Sequence, residues 1–214
     1  LAVTEMSRSK EAGSTSSKLT VIVGIVAFLA AVAAATAFGL EVWNKKRADR
    51  HMSQAAEQLE QGRPGQAAME YSRAMELDPL QVKAMHQLAR LYVRQNRLQD
   101  ADSLLQRAID VAPNDTELYL DLGDVYRRMR NLDGAVEVVA KALELDPELA
   151  SAHHNMGYLR IVRGEVPEAA ESFRRAIELG SDFPMAHHNL GRALAALGDH
   201  LAAVSSFERA VALD

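Results

Sequence analysis

The chain repeats itself. Residues 150–179 read ASAHHNMGYLRIVRGEVPEAAESFRRAIEL, and the segment from Pro184 to Asp214 is nearly a second copy, with AHHNLG for AHHNMG and SSFERAVAL for ESFRRAIEL. The offset is 34 residues, so His153 falls on His187, Gly157 on Gly191, Phe173 on Phe207 and Ala176 on Ala210. A fixed period of that size leaves few architectures open. Each unit is too small to bury its own apolar face and must stack against its neighbours, which makes a solenoid.

The register extends back from the two clear copies. Units begin at Ala48, Val82, Thr116, Ala150 and Pro184, and each is expected to be two helices joined by a short turn. Gly62, Asn96, Asn131, Gly164 and Gly198 mark the inner turns, as residues that end a helix in a left-handed conformation. Pro79, Pro113 and Pro147 close three of the units, because proline lacks the donor that a helix interior needs. At the fourth closure Ser181 replaces proline and Pro184 follows three residues later, so a local irregularity is expected there. Small residues recur where helices must touch: Ala55, Ala89, Gly123, Gly157 and Gly191 on the first helices, and Ala67, Ala101, Ala135, Ala169 and Ala203 on the second. Ala74, Ala108, Ala142, Ala176 and Ala210 form another such row, with Leu88, Tyr92, Leu105, Leu122, Tyr126, Phe173, Leu190 and Phe207 filling between. That alternation is the pattern of interdigitated helix packing.

Leu122-Gly123-Asp124-Val125-Tyr126 reads L-G-x-x-Y, and Ala176-Ile177-Glu178-Leu179 reads A-I-x-L. Residues 48–214 thereby resemble the tetratricopeptide repeat family, with His51 and Gln58 of the first unit departing from usually aromatic positions. The resemblance implies an all-α fold: a right-handed α-solenoid of about five helix-turn-helix repeats, its concave groove lined by the first helices. It implies binding of an extended peptide or a partner helix, and no catalysis.

The residues before Ala48 are of another kind. Residues 1–18 are polar and are expected to be a flexible tail. Residues 19–40 carry no charge over 22 positions, about 33 Å as a helix, enough to cross a bilayer core. Residues 41–47 then supply Trp43 and the basic Lys45-Lys46-Arg47, as an interfacial flank does. The expectation is one transmembrane helix in a cell (inner) membrane. Ala35-Thr36-Ala37 also resembles a signal-peptide cleavage site, so a cleaved leader is the competing reading. Basic residues flank both ends, which leaves the side of the repeats open. Ala27, Ala31, Ala35 and Gly39 place small residues on one stripe, where a second membrane helix could approach. No Pro or Gly interrupts Glu41 to Gln61, so the span is expected to continue into the first repeat helix. The chain starts with Leu; Met6 as the true start, or a fragment, would each account for that.

Charge is unevenly shared. Six Lys and Arg face three Asp and Glu before Ala48, and 18 face 26 from there on. An acidic body lacks the basic footprint of general nucleic-acid binding. Without cysteine there are no disulfides and no Cys-based metal sites. The places that face the groove in the family fall here on Lys83, His86, Gln87, Arg90 and Arg94, then Asp121, Asp124, Arg127 and Arg128. In the last two units they fall on His154, Asn155, Tyr158 and Ile161, and on His188, Asn189 and Arg192. This groove is more basic than the body, and arginine captures carboxylates in bidentate fashion, so an acidic segment is a natural ligand. Asn155 and Asn189 stand one repeat apart and resemble the asparagine ladder of the O-linked N-acetylglucosamine transferase superhelix, whose amides hold a peptide backbone. The equivalent places in the other units hold Ser53, Gln87 and Asp121, and the carboxylate clamp of chaperone-binding members does not match.

His153-His154 and His187-His188 invite a zinc reading, but adjacent helix residues point apart and chelate poorly. No catalytic residue, cofactor site or metal site is assigned. After Asp214 the given sequence offers no helix to cover the apolar Val204, Phe207, Val211 and Leu213, so further residues, a partner, or self-association through that end is expected to cover them. Together these features point to a membrane-anchored scaffold, an accessory or assembly subunit of a membrane complex. A transient chaperone-like adaptor and a regulatory fragment of a larger enzyme are the alternatives.

Overall fold

The computed structural model describes residues 2–180 and 184–213, residues 2–25 by their backbone alone. Among the described residues every regular element is an α-helix. The order is α1 (Ala2–Glu60), α2 (Pro64–Leu77), α3 (Val82–Arg94), α4 (Leu98–Val111), α5 (Thr116–Arg128), α6 (Leu132–Leu145), α7 (Ala150–Arg163), α8 (Val166–Leu179), α9 (Pro184–Ala196) and α10 (His200–Leu213). Each helix packs on the next, and the first helices of neighbouring repeats also touch: α3 on α5, α5 on α7, α7 on α9. This is an α-solenoid of five helix pairs.

The 34-residue frame places the helix starts well. α3, α5, α7 and α9 begin at Val82, Thr116, Ala150 and Pro184, the positions expected from the repeat. The first unit has no separate start. Its first helix is the C-terminal part of α1, which runs unbroken from Ala2 to Glu60 through the spans read as tail, apolar segment and basic flank. Side chains of residues 1–25 lie outside the described residues, as does the expected irregularity at residues 181–183.

The inner turns need one correction. Left-handed backbone falls at Gly62 (φ 69°), Asn96 (58°), Arg130 (62°), Gly164 (81°) and Gly198 (84°), one residue per repeat at the 34-residue spacing. In the third repeat that residue is Arg130, not Asn131. The reason is a bond common to all five turns: the next backbone N–H reaches back five residues, as in Arg63 N to Gln58 O, Asn131 N to Tyr126 O and Glu165 N to Arg160 O, at 2.8–2.9 Å. That geometry fixes which position turns left-handed, whatever residue occupies it. Asn131 instead caps α6, accepting from Gly134 N at 3.1 Å.

The repeats interlock through small-to-large contacts. Gly157 faces the fully buried Phe173 so closely that a Cβ there would sit 2.7 Å from the ring, and Gly191 stands the same way to Phe207. In the third repeat a Cβ on Gly123 would come within 2.9 Å of Val139. In the first two repeats the small residue is alanine, Ala55 and Ala89, both fully buried. The first unit carries a flaw where its sequence departs from the family: the Gln58 amide oxygen is buried with no partner among the described residues. His153 takes a place usually held by a packing aromatic and does that residue's polar work. Its ring nitrogen bonds Pro147 O at 2.9 Å, just as the Tyr119 hydroxyl donates to Pro113 O at 3.0 Å.

Within α1, residues 26–40 are all exposed. Phe28 and Phe38 are each 68% exposed, in a segment whose most apolar 18-residue window has a mean hydropathy of 1.8. The helix is long and apolar enough to cross a membrane. A signal sequence near the N-terminus has the same length and composition.

Candidate protein-binding groove

The first helices meet along one face because each buries its small-residue stripe against its own partner helix, leaving the opposite stripe outward. On α5, α7 and α9 these outward stripes enclose a groove of about 720 Å³. Its lining includes Asp121, Asp124 and Arg127 from α5, His154, Asn155 and Tyr158 from α7, and His188, Asn189 and Arg192 from α9. All nine are among the places the sequence marked. Leu120 and Met185 also line it and were not singled out, because apolar residues at such places read as packing. Lys83, His86, Gln87, Arg90, Arg94 and Arg128 do not line this hollow. Ala27, Ala31, Ala35 and Gly39 lie on α1, outside it.

The floor is tied together by contacts that cross from repeat to repeat. His86 Nε2 on α3 lies 2.7 Å from Asp121 Oδ2 on α5, and Arg90 Nε stands 3.6 Å from the same oxygen. Asn189 Nδ2 on α9 lies 2.9 Å from His154 Nε2 on α7. Both pairs span 35 residues, from the fifth place of one unit to the sixth of the next. That offset was visible in the sequence, as a histidine followed 35 residues later by a side chain able to bond it. At the intervening junction the fifth place is Leu120, so no such imidazole stands opposite Asn155.

These ties change the electrostatics that the sequence suggested. Asp124 binds Arg128 Nε at 2.7 Å through one oxygen and the Arg127 guanidinium through the other. The Arg127 guanidinium also sits over the Tyr158 ring, 5.3 Å from its centroid. Arg90, Arg127 and Arg128 are thus partly compensated. Lys83, Arg94 and Arg192 are exposed and have no ion-pair partner among the described residues. The asparagine pair is also less symmetrical than expected. Asn189 is buried and committed to His154, whereas Asn155 is half-buried in the groove wall.

Burial pushes the His154 imidazole below its ordinary value and outweighs the Asn155 amide, which favours the cation. The geometry agrees, because accepting the Asn189 N–H requires an unprotonated Nε2. A base whose folded value is lower than its unfolded value gives stability that is present above the ordinary histidine range and lost as pH falls through it. Urea unfolding midpoints are therefore expected to drop between about pH 7 and pH 5, with His154→Gln flattening part of that drop. Parallel curves for the two proteins would refute this.

Two family models, each described as tetratricopeptide repeat, match the chain, one over residues 58–122 and 98–156 and the other over 154–214. Among solved structures, pilF of Pseudomonas aeruginosa is 17% identical, with a TM-score of 0.72 over 80% of this chain and 78% of that one. MamA of Desulfovibrio magneticus RS-1 is 17% identical, with a TM-score of 0.68 over 78% of this chain and 94% of that one. YrrB, described as a TPR protein with an unusual peptide-binding site, is 20% identical, with a TM-score of 0.59 over 77% and 84%. No curated protein sequence matches the chain. Likeness at these identities speaks for the fold.

Proposed function

Because the chain belongs to the tetratricopeptide repeat family, we propose that it is a non-enzymatic scaffold, anchored to a membrane by α1, whose groove holds an extended segment of a protein partner. The observation that carries this reading is the groove itself, built from the first helices of three successive repeats and lined by amide, imidazole, phenol and guanidinium groups. Such groups supply the donors and acceptors that hydrogen-bond main chain and carboxylates. A structural neighbour described as carrying a peptide-binding site accords with it. The exposed apolar face of residues 26–40 supports the anchor, since a soluble surface rarely keeps so large a patch uncovered. A resident subunit that helps assemble a membrane complex fits both features. Leu201, Val204 and Val211, exposed on α10, give a second surface through which copies would self-associate.

The test is extraction in mild detergent, followed by native separation and mass spectrometry of what travels with the chain. A defined complex supports the resident scaffold. Free protein, or a smear of many polypeptides, supports a transient adaptor. Reversing Arg90, Arg94, Arg127 and Arg128 together to Glu is expected to abolish co-isolation of the partner while circular dichroism stays helical. Asp121 and Asp124 would then face further carboxylates and close the groove to an acidic segment. Unchanged co-isolation would move the binding surface to the convex face or to α1.

A further inference from the structure

A second hollow of about 320 Å³ adjoins the groove, and the two share Tyr158, Asn189 and Arg192. Their characters differ. The first is lined by polar side chains such as Asp121, Asn155 and His188 together with Leu120, Leu159 and Met185; the second is more apolar, lined by Ile161, Val162, Val166 and Ala196 beside the buried Phe173. Arg192 lies at the junction. It is exposed and has no ion-pair partner among the described residues, while the acidic groups of the groove, Asp121 and Asp124, are already paired with arginines. Among the described residues that line these hollows, the uncompensated charge is therefore one cation at the mouth of the apolar one.

We infer that the groove of the last three repeats selects an extended protein segment carrying an apolar side chain and, about two positions away, an Asp or Glu side chain. Alternate side chains of an extended chain point the same way, so one such pair presents both groups to the same wall. The apolar side chain enters the hollow between α7, α8 and α9. The carboxylate meets the Arg192 guanidinium, which can bond it in bidentate geometry. Asn155 and Tyr158 remain for the main chain in the polar hollow. An internal acidic side chain is favoured over a free C-terminus because Arg192 borders both hollows, so a segment filling both passes it and does not end there. This inference rests on the groove being the binding surface and adds what that surface prefers.

The test is selection of a random displayed peptide library on the full chain in detergent micelles, followed by measured affinities for the winners as end-capped synthetic peptides. Enriched sequences are expected to pair Leu, Ile, Met or Phe with Asp or Glu. Arg192→Glu is expected to weaken them about tenfold or more and to shift selection toward Lys and Arg. Ala196→Trp, which fills the hollow, is expected to erase the apolar preference and leave the acidic one. Peptides that lose binding with the four-arginine reversal yet show no acidic bias, or whose bias survives Arg192→Glu, overturn this inference and leave the groove reading standing. Free-ended winners that fail when capped assign the carboxylate to a terminus and overturn it too. Selection that yields nothing sensitive to groove substitutions overturns both.

Discussion

Phe173→Ala is expected to cost about 3–5 kcal/mol and to unfold the last two repeats before the others. The ring is fully buried, packs with Ala169, Ala170, Leu190, Ala193, Leu194 and Ala203, and lies against Gly157 of the facing helix. Its removal leaves a cavity that a glycine opposite cannot fill. The His154 ring, 5.7 Å away, loses its support, and with it the bond to Asn189. Because a solenoid's stability is a sum of units and nearest-neighbour interfaces, the loss falls where α7, α8 and α9 meet. Hydrogen exchange along the full chain, read beside a urea titration, checks this. Uniform loss of protection over α3 to α10 would contradict it.

Gly157→Val is expected to destabilise by about 3 kcal/mol, the upper end for overpacking a core. The sign is the informative part. In an open helix interior, replacing glycine by alanine gains up to about 1 kcal/mol. A Cβ on Gly157 would lie 2.7, 2.8 and 3.0 Å from three ring carbons of Phe173, and a fully buried ring has little room to retreat. Steric cost therefore exceeds propensity gain, and for valine the two γ-methyl groups add to it. Gly65 on α2 is the control, since a Cβ there would meet nothing within 4 Å. Gly65→Ala is expected to be neutral or stabilising by a few tenths of a kcal/mol. Unfolding midpoints that move the same way for Gly65→Ala and Gly157→Val would refute the packing account.

Most of the architecture could be read from spacing alone. Period fixes helix starts because every unit solves the same packing problem, and α3, α5, α7 and α9 begin where Val82, Thr116, Ala150 and Pro184 said they would. Residue type misled where it competed with period: Asn131 looks like a turn residue, yet the backbone turns at Arg130 because the bond from Asn131 N back to Tyr126 O decides it. The face that carries the groove was also legible, since helical geometry puts the same places of each unit on one face, although Lys83, His86, Gln87, Arg90, Arg94 and Arg128, marked by the same rule, do not line the hollow. Its charge was not. A sequence shows which cations face the groove, but not that Asp124 holds two of them or that Asp121 is shared between His86 and Arg90. Those pairings depend on rotamers and on contacts between units. The apolar hollow was hidden for a related reason: Val162 and Ala196 hold the same place one repeat apart, but they enclose a hollow only together with Val166 and Phe173 of the helix between them.

The unbroken α1 makes residue count a mechanical variable. An α-helix turns about 100° and advances about 1.5 Å with each residue. In a membrane-anchored chain, the eight steps from Leu40 to Ala48 therefore hold the first repeat about 12 Å from the end of the apolar span, and they also set the compass bearing of the groove around the membrane normal. Removing one residue from 41–47 would swing the opening about 100° away from whatever lies beside the span, whereas removing seven would bring it back to within about 20° and draw it nearer the bilayer. In a chain so anchored, the basic flank is a spacer whose phase carries information that its composition does not.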